Sequence, residues 1–187
     1  MTHSSTPFDV CIRGAGIVGR SLALLLAAQQ LRVALVHKGA ADTTDTGHSD
    51  VRAYSLNAAA KQLLTDLRCW PEGTACTPIL QMQIQGDQGG DLRFDAAEQG
   101  VEALNWMIDV PVLEAKLAQA VGFQTYIEEM SEPVQAPLTV ICEGRASQTR
   151  AELGVNFDVK HYAQHALACR IQTTAPHHQV ARQWFQN

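Results

Sequence analysis

Residues 8–37 read FDVCIRGAGIVGRSLALLLAAQQLRVALVH, and this stretch decides the fold. It opens with a short run of strand-forming residues, passes through a glycine-rich turn and continues into a segment rich in Leu and Ala, which favour helix. A second apolar run, residues 31–37, follows the helical segment. A strand that returns after one helix is expected to lie parallel to the first strand. The stretch therefore predicts an α/β fold with a Rossmann-like βαβ unit and a parallel sheet.

The turn between the first strand and the helix has the pattern G-x-G-x-x-G, made of Gly14, Ala15, Gly16, Ile17, Val18 and Gly19. The first glycine of such a motif permits a tight turn, the second lets a pyrophosphate approach the backbone, and the third lets the helix pack close to the strand. The N–H groups at the start of the helix then bind phosphate. We predict that residues 14–19 bind a dinucleotide cofactor. A glycine turn that serves packing alone is the alternative.

The residue that normally contacts the adenosine ribose is missing. In most such motifs an Asp or Glu ends the second strand, about 20 residues after the first glycine, whereas this chain has His37 followed by Lys38. A neutral imidazole can accept one hydrogen bond from a ribose hydroxyl, but a basic pair could instead favour the 2′-phosphate of NADP. We therefore assign His37 and Lys38 to the ribose end of the site without choosing between dinucleotides.

Apolar periodicity predicts further elements beyond this unit. They are a loop over 39–49, a helix over 57–67, a hairpin with strands over 79–85 and 92–94, a helix over 111–121, a strand over 138–142, a strand over 162–173 and a helix over 179–185. The continuous apolar run at 138–142 is typical of a strand buried on both faces of a parallel sheet.

Composition argues against several classes of function. The formal net charge is −5 and Lys and Arg form no block, which argues against nucleic acid as a partner. Five cysteines without a C-x-x-C spacing argue against a disulfide framework and a zinc ribbon. On a strand over 162–173, His161 and His165 would lie about 13 Å apart, so we predict no metal site. With no apolar run long enough to span a bilayer and no signal peptide, a cytoplasmic protein is expected.

Three further segments resemble motifs of one enzyme family. DVRAYSL at 50–56 resembles the D-x-R-x-x-x-L segment of class A flavoprotein monooxygenases, and ICEGRASQTR at 141–150 resembles their G-A-D-G-x-x-S-x-x-R motif. Residues 162–185 are similar to the substrate-domain stretch of the ubiquinone-biosynthesis hydroxylases, the group of 2-octaprenyl-6-methoxyphenol hydroxylase. The resemblance spans nearly the whole chain.

This resemblance implies an FAD enzyme that uses NAD(P)H and oxygen to hydroxylate a phenolic ring, with a polyprenylphenol of ubiquinone biosynthesis as its substrate. In such enzymes the cofactor supplies the redox and oxygen chemistry. No catalytic residue is therefore assigned. If the positions of these motifs have the same roles in this chain as in the family, Arg52 would lie along the flavin. Glu143 stands where the family has Asp. Pro111 and Glu114 replace the family's Arg and Gln at the start of a helix, which removes two FAD-contacting groups.

The alternation of βα and hairpin patterns predicts two discontinuous domains. Residues 1–70 and 104–155 would form the FAD-binding domain, and 71–103 with 156–187 would form part of a β-rich substrate domain. The family's second FAD motif does not occur in the sequence, so we expect the N-terminal half of such an enzyme, inactive on its own.

Partners follow from the same resemblance. A homo-oligomer, a complex with other ubiquinone-biosynthesis proteins and a peripheral contact with the inner membrane are all compatible with it. An unfinished sheet would leave the strand over 162–173 as an exposed edge, which favours self-association. Two other functions stay open: a noncatalytic partner protein that keeps the fold, and an NAD(P)-dependent Rossmann oxidoreductase.

Overall fold

The computed structural model describes residues 8–37, 50–145 and 147–185. Within them the strands are β1 Val10–Arg13, β2 Val33–Val36, β3 Ala53–Leu56, β4 Cys76–Ile79, β5 Gln81–Gly86, β6 Asp91–Asp95, β7 Asn105–Asp109, β8 Ile127–Met130, β9 Leu138–Ile141 and β10 Val180–Phe185. The helices are α1 Ile17–Ala28, α2 Ala58–Asp66, α3 Val110–Gly122 and α4 Gln148–Glu152, with a 3-10 turn at Gly73–Ala75. No helix among the described residues is long and apolar enough to cross a bilayer.

A four-stranded parallel sheet organises the first part of the molecule. Its strand order is β8-β2-β1-β9, and each neighbouring pair is parallel. The two central strands are buried, and Ile12, Val33 and Leu35 have no exposed surface. Apolar runs buried in this way are what the centre of a parallel sheet requires. The predicted α/β fold with its βαβ unit is therefore confirmed.

Helix α1 packs on β1 and β2 through small residues. Gly19, Ala23 and Ala27 are buried and recur every four residues, so they share one face of the helix. Small side chains on that face let the helix axis approach the strands closely. The helix ends before Gln30, whose left-handed backbone (φ 62°) turns the chain toward β2.

The two outer strands of this sheet differ from what the sequence predicts. β9 pairs with β1 alone among the described strands, and Leu138 is 53% exposed. The prediction that residues 138–142 are buried on both faces is therefore wrong, because the described elements leave the start of this edge strand, Leu138 and Thr139, exposed. β8 is not predicted from the sequence, because its residues, IEEM, show no apolar pattern. They form a strand by pairing their backbone with β2.

The rest of the described chain forms two three-stranded sheets. One has the antiparallel order β3-β7-β4, and the other has the order β10-β5-β6. β5 and β6 form the predicted hairpin, and α2 and α3 confirm the predicted helices within one residue at each end. The predicted loop over 39–49 lies outside the described residues.

β10 corrects the prediction for the end of the chain. The sequence predicts a helix over 179–185, but Val180–Phe185 is a strand parallel to β5. The N–H of Leu80 donates to the carbonyl of Gln179 at 2.9 Å, which starts this pairing. Backbone pairing with a strand distant in sequence overrides the local helix preference of Ala, Arg and Gln.

The predicted strand over 162–173 is also wrong. These residues have no regular secondary structure and are exposed. The predicted separation of His161 and His165 depends on that strand and therefore does not apply. Among the described residues, no group of three His, Cys, Asp or Glu side chains is placed to hold a metal ion.

The β10-β5-β6 sheet has one apolar face. The register sets Met82 opposite Phe94 and Ile84 opposite Leu92 on that face. Leu92, Phe94 and Phe185 are 51%, 41% and 56% exposed. This sheet therefore adds exposed apolar surface to that of residues 162–173, where Leu167 and Ile171 are also exposed.

Contacts between Cα atoms divide the chain into two compact units. The first combines the segments before residue 50 with Leu67–Cys69 and Glu114–Ala166, and it holds the parallel sheet. The second combines Asp50–Asp66, Trp70–Leu113 and the residues from Leu167 onward, and it holds the two three-stranded sheets. The assignment of 1–70 with 104–155 to FAD binding, and of 71–103 with 156–187 to substrate binding, stays a prediction.

Replacing Leu35 by Ala should destabilise the protein by about 2–5 kcal/mol, because it removes a fully buried side chain and leaves a cavity in the centre of the parallel sheet. Denaturant unfolding measures the change. Leu153→Ala is the matched control: this leucine is 65% exposed, so its loss should change stability by no more than about 0.5 kcal/mol. Equal losses in the two variants would contradict the burial assigned to Leu35.

Candidate functional site

Gly14 ends β1 at a point where no side chain fits. Its backbone is left-handed (φ 113°), and a Cβ placed there would lie 2.4 Å from the carbonyl oxygen of Cys142. Its own N–H donates to the carbonyl of Val36 at 2.8 Å. Gly14 is thus held between the ends of β2 and β9, and glycine is required both by its φ angle and by the close approach of the neighbouring backbone.

Gly19 lies in the first turn of α1 and is even more confined. A Cβ there would stand 1.8 Å from the carbonyl oxygen of Gly14, so the helix is pressed against the turn that precedes it. Gly16 differs, because a Cβ at that position would meet nothing within 4 Å. Its carbonyl accepts the first helical hydrogen bond, from the N–H of Arg20 at 2.9 Å. The turn is therefore tightly packed at its two ends and open in its middle.

An open cavity of about 810 Å³ lies beside this turn, at the carboxyl ends of the parallel strands. It is lined by Arg13, Gly14, Ala15, Arg20, Val36, His37, Glu129, Ser131, Glu132, Pro133, Glu143 and Gln148. Ligands of open α/β sheets bind at this edge. The start of α1 adds backbone N–H groups without intrahelical partners, on residues that include Ile17 and Val18.

Two arginine side chains lining the cavity have buried nitrogen atoms without hydrogen-bond partners. The Nε atoms of Arg13 and Arg20 are shielded from solvent, and neither makes a hydrogen bond among the described residues. Arg13 Nε lies 3.4 Å from a carboxylate oxygen of Glu143, which is within ion-pair distance, although the contact lacks hydrogen-bond geometry. A buried donor without a partner is costly. The positive charge of the two guanidinium groups favours an anion, such as a phosphate, in this cavity.

The Glu143 carboxylate is committed to its own loop. It accepts hydrogen bonds from the hydroxyls of Thr149 (2.7 Å) and Ser147 (2.8 Å) and from the N–H of Thr149 (3.2 Å). These bonds, with the nearby Arg13, lower the pKa of Glu143 against the opposing effect of burial. Glu143 thus fixes the segment between β9 and α4, where Ser147 also caps the helix by accepting the N–H of Arg150. A direct contact with a cofactor stays a prediction.

The remaining predicted site residues are placed as follows. His37 lines the cavity, and its N–H donates to the carbonyl of Met130 at 3.0 Å. Lys38 lies outside the described residues. Arg52 belongs to the second unit, where its guanidinium pairs with Asp50 at 2.6 Å and lowers the pKa of that carboxyl to about 2. The place of Arg52 along a flavin stays a prediction.

Sequence reasoning missed the polar residues that β8 and the turn after it bring to the cavity. They are Glu129, Ser131 and Glu132. Hydrophobic patterning gave no sign of this strand. A usable signal existed in its position, since a short polar segment that follows a helix of an α/β fold is a candidate for the next strand of the sheet.

Comparison with curated proteins finds relatives with the predicted resemblance. The chain is 26% identical over 193 residues to the 3-demethoxyubiquinol 3-hydroxylase of Escherichia coli K12, covering 90% of this chain and 49% of that protein. It is 23% identical over 207 residues to the ubiquinone hydroxylase UbiM of Neisseria meningitidis, covering 95% of this chain and 44% of that protein. The resemblance to ubiquinone-biosynthesis hydroxylases is thereby confirmed, and the chain spans about half the length of these relatives. No family model matches the chain.

Solved structures of monooxygenases share the fold. The p-nitrophenol 4-monooxygenase PnpA of Pseudomonas putida DLL-E4 superimposes with a TM-score of 0.61 at 16% identity, covering 82% of this chain and 45% of that one. The flavin-dependent monooxygenase PieE, solved in complex with FAD and substrate, superimposes with a TM-score of 0.58 at 18% identity, covering 80% of this chain and 32% of that one. At these identities the likeness shows the fold.

Replacing Gly19 by Ala should destabilise the protein by about 3 kcal/mol, because the new methyl group would overlap the carbonyl of Gly14 and push the helix off the turn. Gly16→Ala is the control, since it adds the same methyl group in open space, and it should cost no more than about 1 kcal/mol. Thermal and denaturant unfolding compare the two. A Gly19→Ala protein as stable as Gly16→Ala would show that the turn is not packed as described.

Glu143→Gln should lower stability at neutral pH and have a smaller effect in acid. The folded state lowers the pKa of Glu143, so its contribution is present above the ordinary glutamate value of about 4.3 and is lost as pH falls through the lowered pKa. Below that pH the wild-type carboxyl is also neutral. Unfolding free energies measured at pH 7 and at successively lower pH test this, and a difference between wild type and variant that stays constant over the whole range would contradict it.

Proposed function

We propose that this chain binds FAD at the glycine turn and forms the cofactor-binding part of a hydroxylase that acts on the phenolic ring of a polyprenylphenol, with NAD(P)H and oxygen as co-substrates. The observation that carries the proposal is the open cavity at the carboxyl end of β1. The turn leaves open space at Gly16, and the cationic side chains of Arg13 and Arg20 line the same cavity. Open space, helix N–H groups and positive charge together suit a cofactor pyrophosphate.

The chain's own residues would hold and orient the cofactor. The N–H groups at the start of α1 and the two arginines would bind the pyrophosphate, while Gly14 and Gly19 keep the turn in shape. Glu143 would act by fixing Arg13 and the loop before α4. FAD, when bound, supplies the redox and oxygen chemistry. No acid/base pair is needed for this division of roles, and none is assigned.

The choice of a hydroxylase among dinucleotide-binding enzymes rests on the relatives. Both curated relatives described above are named as hydroxylases of ubiquinone or its precursor, and they match at least nine-tenths of this chain. Because the chain spans about half of their length, the activity, the aromatic substrate and the use of NAD(P)H are carried over as part of this proposal. A homo-oligomer, a ubiquinone-biosynthesis complex and a peripheral membrane contact belong to it in the same way.

Gly16→Val should weaken FAD binding more than tenfold while the protein stays folded, because the side chain would fill the space beside the turn that the pyrophosphate needs. Retention of FAD after gel filtration, read from the absorption spectrum, and equilibrium dialysis measure the affinity. Gly122→Val, at the end of α3 with equally open surroundings, is the matched control and should bind FAD like the wild type.

The hydroxylase part of the proposal is tested by adding NADPH and a short-chain polyprenylphenol to the FAD-loaded protein and analysing the product by mass spectrometry. A product heavier by one oxygen atom would support the hydroxylase and would contradict the expectation that the chain is inactive on its own. FAD binding without such a product would support the cofactor site alone. A wild-type protein that does not bind FAD, or a Gly16→Val protein that binds it unchanged, would contradict the proposed site.

A further inference from the structure

The ribose end of the cavity has lost the acidic residue that usually ends β2. His37 occupies that place, and its imidazole offers at most one acceptor. A ribose with a free 2′,3′-diol presents two hydroxyl donors. Recognition of the diol therefore needs acceptors from another part of the chain, unless the site takes a 2′-phosphate instead.

The adjacent strand β8 carries acidic residues to the same place. The register pairs Leu35 with Glu129 and Val36 with Met130, and the His37 N–H continues the ladder by donating to the Met130 carbonyl. Residues two apart on a strand share a face. Glu129 therefore lies on the face of the sheet that carries His37, while Glu128 lies on the opposite face.

The carboxylates of Glu129 and Glu132 line the cavity and have acceptor capacity to spare. Among the described residues, neither makes a hydrogen bond or an ion pair. The third carboxylate of the cavity, Glu143, is fully used by Ser147 and Thr149. The cavity is therefore lined by arginine side chains near the turn and, beside β8, by two carboxylates that have no partner among the described residues.

Two unpaired carboxylates discriminate between adenylates by charge. A ribose hydroxyl can donate to a carboxylate, whereas a 2′-phosphate brings up to two further negative charges to the same place and is repelled. The basic pair at 37–38, considered alone, favours the phosphate. β8 and the turn after it oppose this preference, since Glu129 on the strand and Glu132 in the turn both line the cavity.

We propose that Glu129 and Glu132 replace the missing acid of β2 and select a dinucleotide whose adenosine ribose is not phosphorylated. The proposal rests on the proposed function, namely that this cavity holds the adenylate half of a dinucleotide. It assigns the ribose contact to a strand that is not part of the βαβ motif. It also resolves the choice that the sequence leaves open at His37 and Lys38 in favour of the FAD or NAD type of adenylate.

ADP-ribose and 2′-phospho-ADP-ribose are the matched probes, since they differ by one phosphate. Isothermal titration of the full chain should show ADP-ribose binding at least about tenfold more tightly than its 2′-phosphate. Glu129→Gln and Glu132→Gln should each weaken ADP-ribose binding, and the double variant should weaken it about tenfold or more, because a hydrogen bond to a charged acceptor is replaced by one to a neutral amide. The preference over the 2′-phosphate should shrink in parallel.

Glu128→Gln provides the control on the same strand. Glu128 is 58% exposed, lies 4.0 Å from Arg32 on the opposite face, and should affect neither affinity. Thermal unfolding verifies that each variant is folded. An unchanged preference in the double variant, or a wild type that prefers the 2′-phosphate, would overturn the role of Glu129 and Glu132 while leaving the dinucleotide site in place. A wild type that binds neither probe would overturn the proposed function as well.

Discussion

The whole first unit depends on the distance between two backbones, because Gly19 of α1 rests directly on the carbonyl of Gly14. The same carbonyl group belongs to the turn that is pinned by β2 on one side and by Cys142 on the other. Any side chain at either glycine would force helix, turn and sheet apart together. The start of α1 therefore lies close to the end of β1. The cavity forms beside the middle of the turn, where the surroundings of Gly16 are open.

Local signals decided how much of this architecture was predictable. The run at 8–37 contains its own strand, turn, helix and second strand, so its order and contacts follow from neighbouring residues. β8 and β10 could not be found in the same way. IEEM and VARQWF have no pattern that favours a strand, and each becomes one through backbone pairing with a distant segment. The apolar run at 138–142 predicts a burial that β9 does not have, because such a run does not reveal which other elements cover the faces of the strand.

The candidate site, like the fold, could be predicted only where local sequence determines it. The glycine positions and the reasons for them could be predicted, since a tight turn and a close helix impose the same requirement wherever they occur. The function of Glu143 could not, because its position in a recognised motif does not reveal that Ser147 and Thr149 engage both carboxylate oxygens. The acidic residues that β8 and the following turn bring to the cavity could not be predicted either, since their position depends on the strand order of the sheet.

The pairing of β1 with β9 has a consequence for how the protein is made. Val10 and Leu138 are partners in the ladder, and Cys142 forms one wall of the turn at Gly14. During synthesis, β1, α1 and β2 leave the ribosome long before β9 does, so a nascent chain carries an apolar sheet edge that lacks its partner. Such edges are where misfolding and chaperone capture begin. The glycine turn at 14–19, although encoded near the start of the chain, gains its contact with Cys142 only after the ribosome has translated beyond that residue.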